Sequence, residues 1–325
     1  MARASVVIRC FNEEAHIGRL LDGLAHQTVS GLDIVVVDSG STDRTLDIVS
    51  RYPARVLSIR PEEFSFGRSL NAGCQAASGE FVVIASAHTY PVYDDWIEQM
   101  LAPFADPQVA LVYGRQRGDA GTRYAERQVF SAWFPPESNL AQSHPFCNNA
   151  NAAIRRALWT RWPYDEDLTG LEDLDWARRI LAQGYRLAYA AGAEVVHVHR
   201  ETWRQVFLRY RREAIAMRRI FPHEHFRFWD FLRLFTRNVG SDYAHAASER
   251  VLALNLTAIP MFRLMQFWGT YRGFAHRGPI PGALKQTFYY PRGAGRDAGS
   301  GAPPTGRAID YDRIGPKDPR SAEHG

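Results

Sequence analysis

The first 115 residues alternate short β-branched runs with stretches whose apolar residues recur three and four apart. "SVVIRC" gives way to a helical pattern across "EEAHIGRLLDGLAHQ", then to "LDIVVVDSG" and a helix opening at "STDRTLDIVSRY". "ARVLSIR", a helix across "GRSLNAGCQAAS", the strand "EFVVIASA", a helix around "DDWIEQMLAPF" and the strand "VALVYGRQ" continue the rhythm. Such βαβα alternation predicts an α/β fold with an open, mostly parallel sheet. Sheets of this kind bind ligands beyond the carboxyl ends of their strands. Asp38 and His88 fall at two such ends.

From Gln116 to Ala141 the pattern weakens into a polar, aromatic-rich segment that reads as a mobile loop or as the flank of an active site. Beyond it, Leu174, Ala177, Ile180 and Leu181 share one face of a helix spanning about Leu171 to Gln183, with Arg178 and Arg179 opposite. Glu172, Asp173 and Asp175 occupy its first turn, where acids also simply complement the helix dipole. In "AEVVHVHRET", His197 and His199 are two apart in a strand-like run, so both point to one face.

From Trp203 the character changes. Trp203, Val206, Phe207, Tyr210, Ala214, Met217 and Phe221 recur at helical spacing, with Arg204, Arg211, Arg212, Arg218 and Arg219 on the remaining surface. Residues 200–325 carry a formal charge of +10 and residues 1–199 carry −6. A basic amphipathic stretch over residues 203–240 suits either peripheral contact with an anionic membrane or packing on the rest of the protein or on a second copy in a homodimer. No nucleic-acid-binding module accompanies it. Almost every cation is arginine, Lys285 and Lys317 being the only lysines.

Composition adds limits. With 325 residues, 46% of them hydrophobic, the chain can bury one large core plus an appendage. Cys10, Cys74 and Cys147 are too scattered for a disulfide framework or zinc site. That suits a cytoplasmic setting, as does the lack of a signal-peptide pattern after Met1. "VLALNLTAIPMFRLMQFW" is interrupted by Asn255, Pro260 and Arg263 and makes a poor membrane span. Neither GxGxxG nor GxxxxGK[ST] follows any strand, which removes the usual phosphate cradles. Asp38, ending the run Val35-Val36-Val37, is not placed there for packing.

Taken in order, "VVIRCFNEEAHIGRLLDGLAHQ", "DIVVVDSGSTDRT", "RSLNAGCQAASGEFVVI", "NNANAAIRR", "GLEDLDWARRILAQGYRLAY" and "VVHVHR" resemble family 2 glycosyltransferases of the GT-A fold over about residues 4–200. The branch concerned assembles bacterial surface polysaccharides and includes rhamnosyltransferases. The resemblance implies a GT-A domain over 1–200. A basic, aromatic-rich helical extension would follow over 201–290, and a Gly/Pro-rich disordered tail over 291–325. It implies an inverting transfer from a nucleotide-sugar donor to a saccharide or lipid-linked acceptor, on the cytoplasmic face of the membrane. The alternatives are a retaining transferase and a catalytically silent sugar-nucleotide binder.

The residue roles follow by the same resemblance. Asp38 corresponds to the contact with base or ribose, Asn12 and Glu13 to the loop closing on the nucleoside, and Arg68 and Asn71 to the segment beside ribose and diphosphate. Asp173 matches the general base, with Glu172 and Asp175 as competitors. Asn148, Asn149, Asn151 and Glu172 are acceptor- or sugar-binding candidates. In most relatives the strand here ending "FVVIASAH" closes in Asp-X-Asp, which meets the ribose and a divalent cation. This chain has Ser86-Ala87-His88. Either His88 ligates a cation with His197 or His199, favouring Mn²⁺ over Mg²⁺, or it holds the diphosphate directly and no metal is needed.

Overall fold

The computed structural model describes residues 3–275 and 305–314. Nine strands occur among them: β1 (Ala4–Cys10), β2 (Asp33–Asp38), β3 (Ala54–Ser58), β4 (Phe81–Ser86), β5 (Thr89–Pro91), β6 (Val109–Arg117), β7 (Asn139–Gln142), β8 (Asn151–Arg155) and β9 (Arg186–His197). They form one sheet in the order β3-β2-β1-β4-β8-β6-β9-β5, with β7 paired to β9. The first four are mutually parallel, β8 runs antiparallel to β4 and β6, and β6 is parallel to β9. The mixed character begins where the first βαβα run ends.

Helices cover both faces. They are α1 (Ile17–Ala25), α2 (Thr45–Val49), α3 (Phe66–Ala76), α4 (Trp96–Leu101), α5 (Tyr124–Trp133), α6 (Arg156–Arg161) and α7 (Glu172–Leu181). Side-chain alternation along β1 sends Val6 and Ile8 to a core shared with Ile17, Leu20 and Trp96, and Val7 to a core shared with Leu70, Cys74 and Trp176. Both sets are fully buried. Burial on both faces explains why these strands read as continuous apolar runs.

Beyond β9 lie α8 (Trp203–Ile220), α9 (Phe228–Ser248), α10 (Leu252–Asn255) and α11 (Ala258–Phe274). A capping box on Thr202 and Gln205 starts α8. Its apolar residues Val206, Tyr210, Ala214 and Met217 are buried against α11 and against Tyr124 and Leu174 of the sheet domain. The amphipathic face of α8 is therefore occupied by the protein itself. Gly269 and Gly273 permit this close approach, since a Cβ on either would lie 2.6 Å from a backbone oxygen of α8. The buried pair Arg263–Asp242 joins α11 to α9 at 2.8 and 3.0 Å. No helix among the described residues is long and apolar enough to cross a membrane.

Two readings need correction. The segment 116–141 is not a loop: it completes β6, forms α5 and enters β7. Its pattern is obscured because α5 buries a carboxylate, Glu126, alongside Tyr124, Ala125 and Phe130. Within the stretch expected to be disordered, residues 305–314 lie along the outer edge of β5. Ala308 bridges to Tyr93, Ile309 donates to the carbonyl of Val92, and the Tyr311 hydroxyl donates to the carbonyl of Pro91. One tyrosine ring packed 4.9 Å from Tyr90 is a signal too small for average composition to show. The remainder of 276–325 lies outside the described residues.

Candidate active site

At the carboxyl ends of β1 and β4 opens a cleft of about 590 Å³. The α/β domain supplies Arg9, Asn12, Glu13, Ser86, His88, Asn148, Asn149, Glu172, Asp173, His197 and His199, and the helical extension supplies Gln205, Arg209, Arg212 and Glu213. The chain thus closes its site with the stripe of α8 that flanks the packed one. Periodicity showed that α8 has a polar face but could not show what the face looks onto.

His88 leaves the sheet between β4 and β5, and Thr89 pairs with His197 at the end of β9. Val198 then donates to the carbonyl of His88, which brings His199 to the same place. The rings of His88 and His197 stack 5.1 Å apart, and those of His197 and His199 lie 4.2 Å apart. One nitrogen from each of the three lies within 4.8 Å of the others. Nδ1 is engaged in every ring: with Glu13 Oε1 at 2.8 Å in His88, Gln116 Oε1 at 2.7 Å in His197, and Glu126 Oε1 at 2.8 Å in His199.

His197 Nε2 is buried without a hydrogen-bond partner among the described residues. Burial holds His197 and His199 well below the usual imidazole range, His199 and His88 adding to this at His197 and Arg209 and His88 at His199. Both are neutral rings with a free electron pair. A buried, unsatisfied imidazole nitrogen beside two more histidine rings fits a divalent transition cation.

Asp173 stands in the first turn of α7. Its Oδ2 accepts from the backbone of Asn149 and its Oδ1 from that of Leu174. Burial, then the neighbouring Glu172, push its carboxyl up to about 7 despite these bonds. The residue before the helix, Leu171, has φ of 58°, a left-handed conformation that costs a non-glycine residue about 1–3 kcal/mol. Of the competitors, Asp175 pairs with Arg178 and Arg179, while Glu172 borders the same cleft, 3.7 Å from Arg9.

The other predicted residues divide. Asn12, in the left-handed region at φ 54°, accepts from Thr42 and borders the cleft with Glu13 and Ser86. Asn149 presents an amide that is buried, faces the cleft and has no partner among the described residues. Asn148 borders the cleft while capping Ala150.

Asn151 is a structural residue, its amide taken by Trp96, the carbonyl of Arg115 and that of Ala193. Asn71 is likewise consumed by Tyr164, Trp159 and Glu166. The Asp38 carboxylate, 2% exposed, accepts from Gly40, Ser41 and Cys10, and neither it nor exposed Arg68 borders the cleft. Sequence reasoning missed Arg9, whose Nε and Nη1 lack hydrogen-bond partners among the described residues, and the α8 residues. A helical wheel of α8 offered the second signal, since Gln205, Arg209, Arg212 and Glu213 lie on one stripe.

Residues 5–162 match the sequence profile described as Glycosyl transferase family 2. The O-antigen chain rhamnosyltransferase WbaN of Salmonella anatum is 32% identical over 197 residues, covering 57% of this chain and 62% of that protein. RfbN of Salmonella typhimurium, also an O-antigen chain rhamnosyltransferase, is 26% identical over 227 residues, 64% of this chain and 70% of its own. Among solved structures, the mannosyltransferase PcManGT of Pyrobaculum calidifontis, in complex with GDP-Man and Mn²⁺, superposes with a TM-score of 0.55 at 22% identity over 88% of this chain and 86% of that one. S. aureus TarS 1–349 in complex with UDP gives 0.51 at 18% identity over 85% and 90%. The shared architecture is the GT-A fold.

Proposed function

Starting from a chain whose residues 5–162 belong to glycosyl transferase family 2, we propose that it transfers a sugar, with inversion, from a nucleotide-sugar donor to a saccharide or lipid-linked acceptor of cell-surface polysaccharide synthesis. The observation that carries this reading is one cleft holding both halves of the chemistry, a buried carboxyl at Asp173 and a three-histidine cluster at the end of β4.

Asp173 takes the proton of the attacking acceptor hydroxyl, a role for which a carboxyl near 7 is better matched than an ordinary one. No covalent enzyme intermediate is needed. Arg9 offers unsatisfied N–H groups to the leaving diphosphate, where negative charge develops. His88, His197 and His199 would hold a divalent cation, which when bound supplies further positive charge at that diphosphate. Asn149, with both amide atoms free, is suited to a sugar hydroxyl. Exposed Phe228 and Trp229, the latter 75% accessible, with Arg227 and Arg233 nearby in sequence, support contact between the start of α9 and an anionic membrane surface.

The test is calorimetric binding of UDP, GDP, CDP and dTDP to the wild type and to His88→Ala, each with Mn²⁺ and with EDTA. The corresponding nucleotide sugars are then supplied with saccharide acceptors, and the product's anomeric configuration is read by NMR. Tight, metal-dependent binding of one nucleotide and an inverted product are expected. A retained configuration would overturn inversion, and binding of none of the nucleotides would overturn the transferase reading.

A further inference from the structure

The three histidines are not held alike by their own backbone, since His88 lies in a turn, His197 ends β9 and His199 follows it. Yet each ring is engaged through the same atom. Nδ1 meets an oxygen in all three, at 2.7 to 2.8 Å, and the oxygens come from three separate elements: Glu13 before α1, Gln116 on β6 and Glu126 on α5. A carboxylate can only accept, so the proton of a neutral ring next to it must sit on Nδ1 and the electron pair on Nε2. The amide oxygen of Gln116 has the same effect on His197. Glu126 is itself fixed by Arg209 of α8, which donates to the same oxygen at 2.8 Å.

We propose that Glu13, Gln116 and Glu126 are positioning residues that lock three Nε2 electron pairs toward a common point, making a preformed site that binds one late first-row divalent ion without any nucleotide. The proposal rests on the reading of the histidine cluster as a metal site. It adds two things: the shell that orients the ligands, and independence from the donor. Three imidazole nitrogens prefer Co²⁺ or Zn²⁺ to Mg²⁺, which seeks oxygen. Outer-shell partners of this kind are worth about 10- to 100-fold in metal affinity.

The experiment titrates Co²⁺ into the full chain without nucleotide, following visible absorption and heat. Wild type is compared with His88→Ala, Glu13→Ala, Gln116→Met and Glu126→Gln, and circular dichroism confirms the fold of each. Wild type is expected to bind one Co²⁺ with ligand-field bands that excess Mg²⁺ leaves in place, and His88→Ala to lose those bands. Glu13→Ala should keep the bands with affinity reduced about 10- to 100-fold.

Glu13 lies at the cleft with its side chain 17% exposed, so this variant remains informative if the buried Gln116 and Glu126 variants do not fold. Nitrogen-15 spectra of the metal-free histidines supply a readout that a purely structural role would not move. His88 should shift from the Nδ1–H form toward the Nε2–H form in Glu13→Ala. Failure of folded wild type to bind Co²⁺ would overturn the metal site itself. Binding by wild type together with unchanged affinity and unchanged His88 tautomer in Glu13→Ala would overturn the positioning shell alone.

Discussion

Replacing Asp173 by asparagine removes a buried charge while keeping the shape of the side chain. In the folded protein burial, then Glu172, raise the carboxyl from 3.8 to about 7. Between those values the native protein keeps a proton that the unfolded chain has lost. Unfolding then releases a proton, so stability falls as pH rises from about 4 to about 7 and is level above. At 1.36 kcal/mol per unit of displacement the loss reaches about 4 kcal/mol above neutrality.

The asparagine of the Asp173→Asn variant escapes that loss but incurs a different one. Its single amide oxygen can accept from only one of the two backbone donors, Asn149 and Leu174, and the donor left over costs about 1–3 kcal/mol at every pH. The variant is therefore expected to be less stable than wild type by about 0–2 kcal/mol near pH 4.5, where wild type has already lost about 1 kcal/mol, and more stable by about 1–3 kcal/mol near pH 8. Urea unfolding followed by tryptophan fluorescence at both pH values reads the crossover. In parallel, wild-type kcat/KM should climb with pH to a plateau above about 7, and Asp173→Asn should lose about 10²- to 10⁴-fold in turnover while still binding nucleotide. A stability difference of one sign at both pH values would refute the buried-charge argument, and turnover at the wild-type rate would refute the base.

Three further expectations follow from particular contacts. Asp242→Ala leaves Arg263 buried without its bidentate partner and should cost about 3–5 kcal/mol in urea unfolding, with Asp242→Ala/Arg263→Met recovering most of it. Asn149→Ala should raise the KM for donor or acceptor with stability little changed, whereas Asn151→Ala should lower the unfolding midpoint and leave KM alone, because only the first amide faces the cleft unpartnered. Tyr311→Ala removes a ring packed on Tyr90 and a hydrogen bond to Pro91, and should lower Tm and speed amide exchange in β5. Unchanged exchange there would show that the tail does not hold that edge.

The sheet was legible because parallel strands buried on both faces leave uninterrupted Val and Ile runs, and β1, β2 and β4 do so. His88, His197 and His199 were legible as candidates because spacing and strand ends place chemistry in an open α/β sheet. What stayed hidden depends on partners distant in sequence. Asn151 resembles Asn149 in type and neighbourhood, and only the strand pairing of β8 decides that one amide ties three elements together while the other faces the cleft. The partners of Asn71 and Asp38 were hidden for the same reason, since local motif position says nothing of the groups that hydrogen-bond a side chain. In α5 the helical signal was lost because its buried face includes Glu126, acceptable there only because His199 and Arg209 meet it.

The exchange of Asp-X-Asp for Ser86-Ala87-His88 has a consequence for charge. Two carboxylates touching a cation would cancel its charge at the site, whereas three neutral imidazoles leave it undiminished. The protein returns negative charge one layer further out, through Glu13 behind His88 and Glu126 behind His199. Glu126 is in turn balanced by Arg209, and Arg9 stands at the same cleft beside Glu172. A donor diphosphate would then meet stronger uncompensated positive charge than in an acidic site, with Coulomb attraction strengthened by the buried surroundings. Release of the nucleoside diphosphate, as well as sugar transfer, is then sensitive to removing positive charge. Arg9→Gln is accordingly expected to weaken nucleotide binding, to speed product release and to lower the single-turnover rate of transfer, and an unchanged release rate in a variant that binds nucleotide more weakly would refute retention of the product by that charge.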